Sequence, residues 1–103
     1  MINMVQATTP TFILTLPNTV DLSEAVNIYF SLRQGKTHIE KTGDALVIDG
    51  QTVSVYLSQI ETLQLLAGTA QLQLNWTYSH GERACSEIVP VSVTENLLKR
   101  VVE

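Results

Sequence analysis

Residues 70–78 constrain the fold more than any other part of the chain, because apolar and polar residues alternate along them. The apolar positions are Ala70, Leu72, Leu74, Trp76 and Tyr78, with Gln, Asn and Thr residues between them. Successive side chains of a β-strand point to opposite faces, so this period of two predicts a strand with one buried and one solvated face. A turn at residues 79–82 and a return arm through Val89, Val91 and Val93 predict an antiparallel hairpin.

The same alternation recurs along most of the chain and predicts the fold class. Further strands are expected at residues 11–16, 26–32, 37–41, 45–48 and 53–57. This pattern predicts an all-β fold, an immunoglobulin-like antiparallel β-sandwich of about seven strands with one short helical turn and a short C-terminal helix. We expect a flexible N-terminal arm at residues 1–10, the sandwich domain at residues 11–94 and an amphipathic tail at residues 95–103.

Local motifs predict several connections between these strands. Pro17-Asn18 is expected to end the first strand, and Asp21-Leu22-Ser23-Glu24 to form a helical or Asx-type turn. Asp49-Gly50 predicts a type I′ hairpin turn, which needs positive φ at both central residues. Ser58-Gln59-Ile60-Glu61 has the form of a capping box and predicts one or two helical turns before Gly68.

The C-terminal tail carries apolar residues on one side of a helical pattern. Its apolar residues are Leu97, Leu98, Val101 and Val102, and Lys99 and Arg100 lie on the other side. Nine residues are too few for a stable isolated helix. We therefore expect the tail either to dock on its own domain or to grip a neighbouring subunit.

Composition excludes several functional classes. The 103 residues carry a net charge of −4 and contain no Lys/Arg cluster, so the chain lacks the electrostatic features of a nucleic-acid-binding or membrane-binding protein. No secretory signal and no apolar run long enough for a membrane span are visible. We expect a chain that is cytoplasmic on synthesis. The few charged residues leave a neutral polar surface that suits packing against other proteins.

The sequence contains no convincing catalytic, cofactor-binding or metal site. His38 and His80 have no third ligand at a supporting spacing. Asp44 and Asp49 lack the dense oxygen ligands of a calcium loop. Ser79 and His80 are only neighbours in a predicted turn, and nothing orients the imidazole to activate the hydroxyl as a nucleophile. Cys85 is the only cysteine, so no intramolecular disulfide forms, and we expect it to be a buried structural thiol.

The aromatic residues divide by strand parity into core and surface. Trp76 shares a face with Leu72 and Leu74 and is expected in the core. Tyr29 and Tyr56 have the opposite parity to their apolar neighbours, so both rings are expected on outward faces. Such tyrosines fit a protein contact, a sugar-stacking platform or cross-strand pairs that cover a sheet.

The order of strands and turns resembles a known family. The resemblance rests on Val20-Asp21-Leu22-Ser23-Glu24-Ala25 before the strand at residues 26–32, the strand Val53-Ser54-Val55-Tyr56-Leu57, the helical turn at residues 58–66, the strand at residues 72–78 and the closing Val89-Pro90-Val91-Ser92-Val93. Over residues 11–94 the chain resembles the small immunoglobulin-like proteins of phage and prophage tail regions, similar to the N-terminal domain of siphophage upper baseplate proteins. It ends at Glu103 without the helical stalk or receptor-binding head of those proteins.

This resemblance implies a non-enzymatic structural or adaptor subunit of a phage tail or baseplate. Its expected partners are other virion or tail proteins, including copies of itself, and no cofactor is expected. The candidate interface residues are Leu97, Leu98, Val101, Val102, Tyr29 and Tyr56. The alternative is a carbohydrate-binding β-sandwich module that uses the two tyrosines.

Overall fold

The computed structural model describes residues 2–17, 19–20 and 22–103, which form two packed β-sheets. The strands are β1 (Ile2–Val5), β2 (Thr11–Thr15), β3 (Ala25–Gln34), β4 (Thr37–Thr42), β5 (Leu46–Asp49), β6 (Thr52–Tyr56), β7 (Gly68–Tyr78), β8 (Arg83–Cys85) and β9 (Val89–Thr94). One short helix, α1 (Gln59–Thr62), connects β6 to β7, and 3₁₀ turns occur at Leu22–Glu24 and Gly43–Ala45. The predicted all-β fold is confirmed.

The strand order is that of an immunoglobulin-like sandwich. The larger sheet has the order β1-β9-β7-β3-β4, with β8 also paired to β7, and the smaller sheet has the order β2-β6-β5. Strands β2, β6 and β5 occupy the positions of B, E and D, and β3, β7 and β9 those of C, F and G. The first strand pairs with β9, in parallel, and not with β2. Among the described strands, β2 is therefore paired on one side only.

The interior between the sheets is built by the alternation seen in the sequence. Leu72, Leu74 and Trp76 on β7 face Leu32, Phe30 and Ile28 on β3, and all six are buried. The indole of Trp76 is only 3% exposed and its Nε1 donates to the hydroxyl of Tyr78 at 2.9 Å. The predicted core position of Trp76 is confirmed.

The capping box predicted at the start of α1 is present and helps to close one side of the sandwich. The Glu61 amide donates to Ser58 Oγ at 3.3 Å, and the Ser58 amide donates to Glu61 Oε1 at 2.9 Å. The other carboxylate oxygen of Glu61 lies 2.7 Å from Lys41 Nζ on β4. Burial acts to raise the pKa of Glu61, but hydrogen bonds from Lys41 and Ser58 outweigh it, so this pKa lies below its ordinary value.

The prediction of a flexible N-terminal arm at residues 1–10 is wrong for most of that segment. Ile2–Val5 forms β1, Met4 is buried in the core, and Gln6 Nε2 donates to the carbonyl of Leu65. Residue 1 lies outside the described residues. Four residues are too short to show an alternation, and their pairing partner on β9 is almost the whole chain away, so no local pattern reveals this strand.

The prediction of a short C-terminal helix is also wrong. No helical turn occurs between Glu95 and Glu103. The backbone groups find other partners: the Leu98 amide donates to Asn96 Oδ1 at 3.0 Å, and the Val102 amide donates to Gln59 Oε1 at 2.8 Å. The β-branched pair Val101-Val102 also disfavours helix. The tail lies along its own domain as an irregular segment.

Two turns differ from their predicted form. The two-residue loop after β5 is Gly50-Gln51, because Asp49 pairs with Thr52. Of its central residues only Gly50 has positive φ (62°), which is the pattern of a type II′ turn and not of type I′. The 3₁₀ turn at Leu22–Glu24 agrees with the predicted helical turn, but the parts of the predictions that concern Asn18 and Asp21 lie outside the described residues.

Candidate functional site

The residues with catalytic or metal-binding side chains are dispersed. His38 lies on β4, whereas His80 lies in the β7–β8 turn, stacked on Tyr78 and 3.0 Å from Glu82 Oε2. Within the described ranges, no group of three His, Cys, Asp or Glu residues could hold a metal ion. Cys85 is exposed and not buried as expected, because it pairs with Asn75 and shares its outward face, while its neighbour Ala84 faces Trp76.

The two candidate tyrosines lie on opposite sides of the sandwich. Tyr29 is half-buried on the outer face of the larger sheet, beside Asn75 in the register. Tyr56 is 55% exposed on the outer face of the smaller sheet, beside Thr11. Both point outward as predicted, but a small ligand such as one saccharide cannot contact both rings. The structure therefore does not form a joint tyrosine platform.

The tail is tied to the domain through backbone groups. The Asn96 side-chain amide donates to the Gln6 carbonyl at 2.9 Å. Farther along, the side-chain amide of Gln59 on α1 binds Val102 twice, donating to its carbonyl at 2.9 Å and accepting from its amide at 2.8 Å. These contacts fix the path of the chain without using the apolar side chains.

None of the apolar side chains of the tail is buried, although the extent of their exposure differs. Leu97 is 96% exposed, and Leu98, Val101 and Val102 are also exposed. A tail that docked in order to complete its own core would bury these groups. The four predicted interface residues thus lie on one anchored segment of the tail, whereas Tyr29 and Tyr56 lie on strands β3 and β6.

A second surface, not anticipated from the sequence, is the free edge of β2. The Leu57 amide donates to the Pro10 carbonyl at 3.0 Å, and the Leu16 amide donates to the Gln51 carbonyl at 2.9 Å. Even-numbered residues along β2 therefore direct their backbone groups toward β6. The amides and carbonyls of Thr11, Ile13 and Thr15 point the other way, where no described strand pairs with them.

An apolar cavity of about 380 Å³ opens beside this edge, between the two sheets. Its apolar lining comes from Leu14, Leu16, Pro17, Val20, Leu72, Leu74, Trp76 and Val89. Cys85 at the end of β8, and Ser86 and Glu87 in the connection to β9, also line the cavity. The Ser86 hydroxyl accepts from the Leu74 amide at 2.9 Å, which fixes this connection to β7.

Sequence reasoning missed two features. One is the glutamines whose side chains bind distant backbone groups, and the other is the free edge of β2. Gln59 and Gln6 looked like neutral polar residues, and nothing local indicated which backbone groups they bind. The β2 edge did carry a signal, because Thr11-Phe12-Ile13-Leu14-Thr15 contains no charged residue and no proline. Edge strands usually contain charged residues or prolines, which hinder pairing with another chain.

No protein-family model matches the chain, and a search of curated proteins found no match. No helix of the described residues is long and apolar enough to cross a membrane.

Proposed function

We propose that this chain is a non-enzymatic structural or adaptor subunit that acts through protein–protein contacts, and that it belongs to a phage or prophage tail or baseplate. The observation that carries the proposal is the anchored tail, whose backbone is bonded to the domain while its apolar side chains face solvent. Burying a leucine side chain such as Leu97 or Leu98 against a neighbour is worth roughly 1.5–3 kcal/mol. The phage assignment is supported by the resemblance in strand and turn order.

The test is the mass of the protein in solution by light scattering over a range of concentrations. Three forms are compared with the wild type: deletion of residues 95–103, Leu97→Ser, and Val47→Ser as the matched control. Val47 is also strongly exposed but lies on β5, outside the tail. We expect the wild type to self-associate and the control to behave as wild type. Leu97→Ser should return the protein to the 11.4 kDa monomer, and the deletion should give the correspondingly lighter monomer of the shortened chain.

A wild type that is monomeric throughout, combined with a deletion that only lowers thermal stability, would overturn the proposal. In that case the tail is a structural part of its own domain. A Val47→Ser variant that dissociates as readily as Leu97→Ser would also count against it, because the association would then depend on the smaller sheet and not on the tail.

A further inference from the structure

We propose that the free edge of β2 and the adjoining cavity bind an extended segment of a partner protein, which joins the smaller sheet as a fourth strand. This surface is separate from the tail, so that either hypothesis can fail while the other stands. The added strand would occupy the position that strand A fills beside strand B in an immunoglobulin-like sandwich, a position that β1 leaves empty by pairing with β9.

The backbone of β2 determines that the occupant is a polypeptide in extended conformation. Thr11, Ile13 and Thr15 each present one amide and one carbonyl at the free edge. These groups alternate along the strand at the spacing that the main chain of another strand matches, as in other cases of β-strand addition. A helix or a small apolar molecule would leave them without main-chain partners.

The cavity determines the side chains of the occupant. Phe12, Leu14 and Leu16 point inward, so residues opposite them in an added strand would also point inward. These positions lie over the apolar lining contributed by Leu72, Leu74 and Val89. The partner segment therefore needs apolar residues at every second position. Residues opposite Ile13 would lie on the outer face, where Ile13 itself is 66% exposed.

The charges around the cavity indicate that one end of the partner segment is basic. Strand β2 contains no charged side chain, and Glu87 is the one charged residue among the described residues that line the cavity. The chain as a whole carries a net charge of −4. We therefore assign to the partner segment an alternating apolar pattern flanked by a basic residue at the end that passes Glu87. The tail of this chain does not fit, because its apolar residues come in adjacent pairs.

The probe is a labelled ten-residue peptide with valine at alternate positions, threonine between them and two lysines at one end, titrated by fluorescence anisotropy. We expect saturable binding by the wild type. In the bound peptide, the backbone amide of the threonine opposite Ile13 would point toward β2. An analogue with the same side chains but N-methylated threonines lacks these hydrogen-bond donors. It should bind at least about tenfold more weakly. This comparison changes the peptide only and leaves the fold of the protein intact.

Two protein variants and a control locate the site. Ile13→Pro removes an amide that has no ladder partner, and proline is tolerated at such an edge position. Ile13→Pro should weaken binding at least about tenfold. Glu87→Lys should weaken the binding of the lysine-bearing peptide more than the binding of a lysine-free version. Val47→Thr, on the other edge strand of the same sheet, should bind as wild type.

Equal binding of the N-methylated peptide, or equal weakening by Val47→Thr and Ile13→Pro, would overturn the proposal. So would the absence of binding at the solubility limit of the peptide. A second copy is the competing occupant, because β2 could pair with the β2 of another chain. A wild type that forms dimers which Ile13→Pro abolishes, and which exclude the peptide, would favour that occupant and contradict ours.

Discussion

The rings of Phe12 and Phe30 stack across the interior, with centroids 6.0 Å apart and planes inclined by 25°. Phe12 belongs to β2 in the smaller sheet and Phe30 to β3 in the larger one, so this pair joins the two layers. Antibody domains join the same two layers with a disulfide. A chain with one cysteine has no such bond, and the aromatic pair supplies inter-sheet contact by packing.

The Phe12–Phe30 pair predicts a large loss of stability on truncation. Phe30 is fully buried, so Phe30→Ala should lower the free energy of unfolding by about 3–5 kcal/mol. Tyr56→Ala, at an exposed aromatic of the same domain, should lower it by far less. Urea denaturation followed by Trp76 fluorescence measures both. Similar losses for the two variants would mean that Phe30 does not lie between the sheets.

The ion pair between Glu61 and Lys41 predicts a pH dependence of stability. Because the pKa of folded Glu61 lies below its ordinary value, the ionised carboxylate stabilises the fold above the unfolded-state pKa, and this contribution disappears as pH falls through the folded-state pKa. Glu61→Gln keeps a side-chain oxygen at N3 that can accept from the Ser58 amide, but removes the negative charge. The wild type should exceed it by up to about 1 kcal/mol at neutral pH.

The same two proteins are compared by thermal or urea unfolding from pH 7 down to pH 3. The difference in the free energy of unfolding between wild type and Glu61→Gln should shrink as the carboxylate protonates, at a pH below the ordinary pKa of a glutamate. A difference that is constant over this range would show that Glu61 stabilises α1 by capping alone. A difference that grows at low pH would contradict the ion pair.

The positive φ of Gly50 predicts that a side chain is unfavourable at this turn. A Cβ at Gly50 meets no atom within 4 Å, so any effect of Gly50→Ala comes from the backbone conformation and not from a clash. We expect a loss of about 1–2 kcal/mol. Lys36, at the second central position of the β3–β4 turn, does not have a positive φ. Lys36→Ala should therefore change the free energy of unfolding very little. Equal effects in equilibrium unfolding would contradict the turn geometry.

The double hydrogen bond between Gln59 and Val102 predicts that one residue controls the path of the tail. Gln59→Ala should increase the backbone mobility of residues 100–103 in NMR relaxation and speed the exchange of the Val102 amide. Because both groups are near the surface, the free energy of unfolding should change by less than about 1 kcal/mol. Gln64→Ala is the matched control, because Gln64 is an exposed glutamine whose side chain does not bond the tail. Unchanged tail mobility in Gln59→Ala would contradict the tether.

Features that depend on neighbouring residues could be predicted from the sequence, and features that depend on distant pairing could not. The alternation in β7 and the capping box at Ser58 act within a few residues, and both are confirmed. Strand β1 depends on β9, and the tail depends on Gln59, so local helical spacing at Leu97–Val102 gave the wrong conformation. The outward positions of Tyr29 and Tyr56 follow from parity, but their separation follows only from the assignment of β3 and β6 to different sheets.

The open edge of β2 is the feature on which the inferred binding site depends, and amide hydrogen exchange measures it directly by NMR. The amides of Phe12 and Leu14 point toward β6 and should be strongly protected, whereas those of Ile13 and Thr15 should exchange at least about a hundredfold faster. Such alternating protection in the isolated protein is the expected result. Uniform protection of Phe12, Ile13, Leu14 and Thr15 would show that another segment already pairs with β2, and would contradict the account.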